Sequence, residues 1–285
     1  MAAAITWNRY GKSRVRLVKI RRAADRHDVL DLTIDVALEG AFEAVYTDGD
    51  NSSCLATDTM KNTVYAVARR DPIDHVEAFA SRLAEYFAGR PGVSLARIDA
   101  AEHPWDRLPV MSGPHPHAFV RHGDEEWTVS VTHTAGTPVV TSGLRRLVVL
   151  KTADSAFAGF PRDEYTTLPD TTDRLLATSI TAAWQYASGF SDFAARTVIR
   201  TALVETFASH RSASVQHTLY AMGEAALAAC DGVTEIQLAM PNRHHLLVDL
   251  SPFGLDNPNE IFVATDQPFG VIEARISRTA RKNGP

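Results

Sequence analysis

Alternating apolar and polar positions mark strands in both halves of the chain. From Leu30 to Leu38 every second residue is apolar, and Val15 and Leu17 alternate with arginines upstream. A period of two predicts strands with one buried face. The polar run at 21–28 separates these two segments and indicates a hairpin turn. We therefore expect an antiparallel pair near the start of the chain, with one face in contact with solvent.

Helical spacing follows in the same half and recurs in the second half. Apolar residues from Val76 to Phe87 recur three or four positions apart, and 57–70 forms a second helical segment that begins with polar capping residues. In the second half, 191–210 and 214–229 show the same period, and Ser214 is placed to cap the latter helix. This spacing predicts amphipathic helices that bury one face.

Strands and helices thus alternate in the same order twice, as two copies of a ββααββ unit. The predicted class is α+β, with an antiparallel sheet and two helices in each copy. Gly136 and Pro138 punctuate the chain between the copies, which places the first repeat at 6–135 and the second at 136–280. The segment 103–126, rich in Pro, Gly and His, is predicted to be the least regular.

Composition limits the classes of function. The chain has 285 residues, of which 45% are hydrophobic and 22% charged, and its net charge is −5. This is the composition of a globular protein, and the acidic balance argues against sequence-independent nucleic-acid binding. No apolar run is long enough for a membrane span, and the start lacks the apolar core of a signal peptide. The two cysteines, Cys54 and Cys230, form no metal-binding or disulfide pattern, which favours a reducing cytoplasm.

Sequence motifs for common cofactors and metals are absent. No glycine-rich dinucleotide loop, P-loop or esterase elbow occurs, so dinucleotide-binding, P-loop and esterase functions are not expected. His115 and His117 form a His-Pro-His pair, but no acidic residue stands at a recognised metal-ligand spacing from it. We therefore predict no metal site.

Polar clusters of the second half, together with two blocks of the first, resemble urate oxidase (uricase). The similar stretches are YGKSRVRLVK, ATDTMKNTVYA, FAGFPRDEYTTLPDTTDRLLAT, SVQHTLYAMG, and MPNRHHLLVDL followed by NPNEIF. They occur in the family's order between Tyr10 and Ile276, and the joint match carries more weight than any single block. The resemblance implies a cofactor-free enzyme of the tunnelling fold, which is built from repeated ββααββ units.

The resemblance also implies roles for residues that match the family's motifs. The implied catalytic residues are Lys12, Thr57 and His244. The implied substrate-binding residues are Thr57, Asp58, Phe157, Arg174, Val215, Gln216 and Asn242. Each residue type suits its role, since a guanidinium and an amide can clamp a planar purine anion while an aromatic ring stacks on its face.

The implied reaction converts urate, O2 and water to 5-hydroxyisourate and hydrogen peroxide. Lys12 would take the proton of Thr57, His244 would relay protons, and Asn242 would hold oxygen or water above the ring. The family builds its sites between subunits, so a homotetramer is implied, with Lys12 and Thr57 from one subunit and Arg174, Gln216 and His244 from its neighbour. The chain ends in Asn-Gly-Pro rather than a peroxisomal tripeptide, which again favours the cytoplasm. Neither a nucleic acid nor a membrane is expected as a partner.

Two other functions fit the residues less well. One is another tunnelling-fold enzyme for purines or pterins, whose zinc motif is not evident here. The other is a non-catalytic purine-binding protein. Taken singly, each residue also has a structural explanation: Thr57 or Asp58 can cap a helix, Lys12 can be a solvated charge, and Arg174 can pair with a neighbouring aspartate.

Overall fold

The computed structural model describes residues 3–279 and separates into two compact units. Within the described residues, unit 1 comprises 3–143 and 185–194, and unit 2 comprises 144–184 and 195–279. This division follows packing and does not test the repeats at 6–135 and 136–280, which stay a prediction. The C-terminal tripeptide on which the cytoplasmic expectation partly depends lies outside the described residues.

Unit 1 is an antiparallel sheet with helices on one face. Its strands are β1 (Tyr10–Arg22), β2 (His27–Gly40), β3 (Val93–Glu102), β4 (Trp105–Val110), β5 (Gly113–Arg121) and β6 (Glu126–His133). Its helices are α1 (Glu43–Thr47), α2 (Thr57–Arg70) and α3 (Val76–Ala88). The sheet order is β1-β2-β3-β6, and β1 and β2 form the predicted hairpin, with Arg22 opposite His27.

The core of unit 1 lies between this sheet and its helices. Leu32, Ile34, Val36 and Leu38 are each at most 2% exposed, so the alternating face of β2 points inward as predicted. Helix α3 contacts β3 and β6, and α2 contacts β1. The apolar stripe of α3 is buried as its spacing predicts, apart from the partly exposed Tyr86.

The expectation of an irregular segment at 103–126 is wrong, because most of it forms the hairpin β4–β5. Trp105 pairs with Arg121, and Pro109 pairs with Pro114. A two-stranded ribbon has two open edges, so prolines without an N–H are tolerated there. The indole Nε1 of Trp105 donates to the carboxylate of the buried Asp31 at 3.1 Å, which anchors the ribbon to β2.

Unit 2 contains the second set of strands and two long helices. The strands are β7 (Val139–Lys151), which begins in unit 1, β8 (Leu176–Tyr186), which ends there, β9 (Val233–Ala239), β10 (Asn242–Leu247), β11 (Phe262–Gly270) and β12 (Glu273–Ser277). The helices are α4 (Ala195–Ser209) and α5 (Val215–Ala229), with a 3-10 turn at Ser251–Phe253. Strand β10 pairs with β8 and β11, and β12 pairs with β9, all antiparallel where registers are defined.

The core of unit 2 also follows the sequence pattern. Every second residue of β8 from Leu176 to Trp184 is at most 1% exposed. Helix α5 packs on α4, β9 and β12, and at Gly223 an added Cβ would lie 2.6 Å from the side chain of Ile276. The glycine thus lets helix and strand approach closely. Strand β11 was not predicted, and α4 begins at Ala195 rather than near Ser191.

Two further observations concern expected classes of site. In residues 3–279, no helix combines the length and apolar character needed to cross a membrane. Cys54 and Cys230 are both free thiols, and Cys230 is buried.

Candidate active site

Lys12 lies on β1 at a point where the strand is irregular. Its Cα pairs with Val36, while Val15 pairs with Ile34, so β1 carries one extra residue between them. Directly opposed residues of antiparallel strands project to the same side, and Val36 belongs to the buried face. The bulge therefore turns both Lys12 and Val15 toward the helix-covered side, although their separation of three would place them on opposite sides of a regular strand.

The glycine before Lys12 fixes how closely β1 approaches β2. A Cβ at Gly11 would lie 1.9 Å from the carbonyl oxygen of Val36 and 3.0 Å from the Cα of Ala37. Backbone atoms cannot move aside without separating the strands, so only glycine fits. Gly11 thereby fixes the distance between β1 and β2 next to the half-buried Lys12.

Thr57 and Asp58 begin helix α2 but do not cap it. The N-cap residue is Ala56 and no side chain makes a capping bond, so the capping explanation of these two residues is wrong. Both lie in the first turn, where backbone N–H groups have no partner within the helix and favour negative charge. Thr57 is half-buried, and Asp58 is exposed.

The carboxylate of Asp58 interacts with three side chains near this end of the helix. It accepts hydrogen bonds from Lys61 Nζ at 2.5 Å and from Asn62 Nδ2 at 2.9 Å. The hydrogen bond and charge of Lys61 lower the pKa of Asp58, and Lys12 adds a smaller effect in the same direction. Lys12 is thus near enough to Asp58 to affect its charge, and Thr57 adjoins Asp58 in the same helical turn of unit 1.

Phe157 belongs to a second cluster, within unit 2, and backbone bonds hold it from both sides. It exchanges two hydrogen bonds with Thr171, at 2.8 and 2.9 Å. Just before it, Ser155 forms a parallel bridge with Ser212, and Ala156 N–H donates to the Ser212 carbonyl at 2.8 Å. The segment that carries Phe157 is therefore attached to the loop that leads into α5.

Arg174 lies over the ring of Phe157, with 5.3 Å between the guanidinium carbon and the ring centroid. Its Nε is buried and has no hydrogen-bond partner among the described residues. Burial lowers the pKa of this guanidinium, which nevertheless stays charged at neutral pH. Asp173 is occupied by the N–H of Ser155 at 3.2 Å, and Asp170 pairs with Arg162 at 3.3 Å. Neither of these aspartates therefore accepts a hydrogen bond from the Nε of Arg174, as the structural explanation of this residue had suggested.

Val215 and Gln216 form the first turn of α5. Ser214 caps this helix as predicted, and its side chain accepts the N–H of His217 at 3.1 Å. Val215 is 3% exposed and anchors the turn, while Gln216 is exposed. Because Ser212 ties this loop to Ser155, the structure brings Phe157, Arg174, Val215 and Gln216 into one region of unit 2.

Asn242 and His244 share one side of β10, since Asn242 Nδ2 and His244 Nδ1 are 3.4 Å apart. The ring of His245 instead contacts the carbonyl of Arg243, at 3.1 Å. Asn242 pairs with Thr178 of β8, and Arg174 lies two residues before that strand begins. Strand β8 therefore links this pair to the region of Arg174.

The predicted site residues consequently fall into two sets. Lys12, Thr57 and Asp58 lie in unit 1, and the remaining six lie in unit 2. Sequence reasoning assigned no role to Tyr10 or Gly11, which immediately precede Lys12. Their place in the same Tyr-Gly-Lys block was the available indication.

The histidine-rich ribbon carries no metal-binding cluster. Within the described chain, no group of three or more His, Cys, Asp or Glu side chains is arranged to hold a metal ion. His115 and His117 contact each other edge to face, with ring centroids 4.6 Å apart.

Comparison with known proteins gives one consistent result. The family model described as Uricase matches residues 8–132 and 140–273. The uricase of Arthrobacter globiformis is 45% identical over 273 residues, which cover 95% of this chain and 89% of that protein. The uricase of Aspergillus flavus is 36% identical over 299 residues, which cover 99% of each chain.

The solved structures agree with the sequence comparison. The crystal structure of uricase from Arthrobacter globiformis superimposes with a TM-score of 0.93 at 43% identity, covering 100% of this chain and 99% of that one. This match confirms the predicted α+β tunnelling fold.

Proposed function

Because this chain belongs to the uricase family, we propose that it is a urate oxidase that acts without a cofactor. The reaction takes two electrons from urate and passes them to O2, so that urate, O2 and water give 5-hydroxyisourate and hydrogen peroxide. The observation that carries the proposal is the guanidinium of Arg174, which lies over an aromatic ring and whose buried Nε has no hydrogen-bond partner within residues 3–279. Such a group is suited to bind a flat anion.

The residues of unit 2 serve as the substrate clamp. Arg174 donates parallel hydrogen bonds to one edge of the urate anion, and the amide of Gln216 offers a donor and an acceptor to another edge. Phe157 stacks on the ring, and Val215 gives the pocket a rigid apolar wall. The backbone bonds of Ser212 to Asp154 and Ala156, on either side of Ser155, support this assignment, because they fix the spacing of the groups before substrate arrives.

The residues of unit 1, with Asn242 and His244, serve the proton transfers. Lys12 accepts the proton of Thr57, which prepares that hydroxyl to take a proton from urate, and the electron-rich dianion then reduces O2. The first-turn N–H groups of Thr57 and Asp58 bind the anion, and Asn242 holds O2 or water above the ring. His244 relays protons. The bulge that turns Lys12 toward α2 and the 3.4 Å contact between Asn242 and His244 support these roles.

The test is oxygen uptake by the metal-stripped protein with urate and a chelator present. We expect O2 consumption with release of peroxide. Lys12→Met should lower kcat by about 100-fold or more while the Kd for urate changes little, because general acid–base groups contribute at least that factor. Arg22→Met removes an exposed cation from the other end of β1 and serves as the control.

Other outcomes would favour the alternatives. Tight urate binding without O2 uptake would indicate a purine-binding protein. Activity restored only by added metal would indicate a metalloenzyme of the same fold.

We further propose that the complete site forms between copies of the chain in a homotetramer, as the family resemblance implies. Lys12 and Thr57 would come from one copy, and Arg174, Gln216 and His244 from its neighbour. Mixed oligomers test this arrangement. When Lys12→Met and Arg174→Met subunits are unfolded and refolded together, random pairing should give intact sites at about a quarter of the wild-type number. Sites confined to one copy would regain no activity.

A further inference from the structure

We propose that Tyr10 is a positioning residue that holds Lys12 and Thr57 at the separation needed for proton transfer, a role that rests on the proposed urate oxidation. Its phenolic oxygen accepts a hydrogen bond from the backbone N–H of Leu55 at 2.9 Å. Tyr10 is two residues before Lys12, and Leu55 is two residues before Thr57. One hydrogen bond therefore joins the two segments that carry the reacting groups, close to both of them.

The ring of Tyr10 is itself held in place. It meets Phe42 edge to face, with ring centroids 4.9 Å apart, and Phe42 is 1% exposed. On the two preceding residues, Asn8 donates to Glu43 at 3.3 Å and the Arg9 carbonyl accepts from Tyr46 at 3.4 Å. Residues 8–10 thus contact the segment 42–55 at several points, and these contacts fix the position of the phenolic oxygen.

The phenol of Tyr10 is un-ionised at neutral pH. Burial, with the thiol of Cys54 alongside, raises the pKa of Tyr10 to about 12. The hydroxyl therefore stays neutral over the working range, where it can accept the N–H of Leu55 and donate to Cys54. Its contribution is geometric, since it limits how far the first turn of α2 can move from Lys12.

Tyr10→Phe tests this role, because it keeps the ring on Phe42 and removes only the oxygen. A displacement of about 1 Å between reacting groups can cost up to 100-fold in rate. We expect kcat for urate oxidation to fall roughly tenfold or more. The Kd for urate, measured under anaerobic conditions, should change much less than kcat, because Arg174 and Gln216 of the clamp lie on other segments and only the first-turn N–H groups of Thr57 and Asp58 would shift.

Tyr65→Phe is the matched control. The hydroxyl of Tyr65 ties α2 to β1 by donating to the carbonyl of Arg16 at 3.1 Å, away from Lys12 and Thr57. This variant loses the same hydroxyl group from a bond to the same strand, made by the helix itself rather than by the segment before it. Its kcat should stay within about twofold of the unmodified enzyme, as for most surface substitutions.

A double-mutant cycle separates positioning from a general effect on structure. If Tyr10 acts through Lys12, adding Tyr10→Phe to Lys12→Met should lower kcat no further. An equal loss of kcat in Tyr10→Phe and Tyr65→Phe would overturn the role, as would a full additional loss in the Lys12→Met background.

Oxygen uptake by the unmodified protein separates failure of the proposed urate oxidation from failure of the role of Tyr10. If it consumes no O2 with urate, the proposed function fails and the role of Tyr10 fails with it. If it is active and Tyr10→Phe has normal kcat, only the role of Tyr10 is overturned.

Discussion

Replacing Arg174 by methionine should change stability and substrate binding independently of each other. The buried Nε has no hydrogen-bond partner among the described residues, so folding desolvates it without recovering a bond. An unsatisfied buried donor costs about 1–3 kcal/mol, and the low end applies here because the side chain is half-buried. Methionine keeps much of the apolar stem. We expect the free energy of unfolding of the ligand-free protein to stay constant or rise by about 1 kcal/mol.

Binding of urate should weaken strongly in the same variant. Two parallel hydrogen bonds from a guanidinium to an anion are lost, each worth about 1.5–3 kcal/mol before solvent screening. We take the lower value for each bond because Arg174 is partly accessible to solvent. The total of about 3 kcal/mol corresponds to a roughly 100-fold higher Kd.

The measurements are anaerobic titration calorimetry with urate and thermal unfolding without it. Arg162→Met is the matched control, since Arg162 lies in the same loop, pairs with Asp170 at 3.3 Å and lies 5.0 Å from the ring centroid of Phe160. That variant should bind urate normally. Unchanged urate affinity in Arg174→Met would refute the clamp, and a large loss of ligand-free stability would refute the argument from the unpartnered Nε.

Two further predictions concern the framework. Gly11→Ala should lower both Tm and kcat, because its Cβ would lie 1.9 Å from the Val36 carbonyl oxygen. A Cβ at Gly136 would meet no atom of the described residues within 4 Å, so Gly136→Ala should change neither. Equal Tm values for the two variants would contradict the steric argument. His103 has a pKa lowered chiefly by burial, so its contribution to stability is complete above about pH 6.5 and is lost as the pH falls below that value. Urea unfolding between pH 5 and pH 7.5 should show this loss in the unmodified protein and a weaker pH dependence in His103→Asn; parallel curves would refute it.

The local pattern of apolar and polar residues was sufficient to predict the elements that bury one continuous face. The alternation along β2 and the stripe of α3 each reflect a single sheet–helix core, and their burial follows residue by residue. The ribbon β4–β5 was not predictable in this way, because its residues are mostly exposed and its prolines argue against a central strand. Strand β11 was not predicted for the same reason, since its residues show little alternation between buried apolar and exposed polar positions.

The site could be predicted in part. Residue types and block order implied which side chains belong together, through resemblance rather than through periodicity. The contacts that place them are long-range: Ser155 meets Ser212, and Phe157 meets Thr171. No local pattern encodes such pairings, and the bulge after Lys12 depends on the register between two strands. Sequence reasoning therefore proposed candidate reacting groups but did not identify the neighbouring contacts of Gly11 and Tyr10.

Substitutions around the two sets of candidate site residues should change different kinetic constants. Backbone bridges within unit 2 hold the segments of the proposed clamp, whereas Gly11 and Tyr10 make their contacts beside Lys12 and Thr57 within unit 1. Interactions made equally with substrate and transition state alter affinity, while those realised only during proton transfer alter kcat. Because different contacts fix the two sets, changes around Phe157 and Arg174 should appear mainly in Kd, and changes around Tyr10 and Gly11 mainly in kcat. The two frameworks can therefore be altered separately, and their kinetic effects should combine nearly additively in free energy.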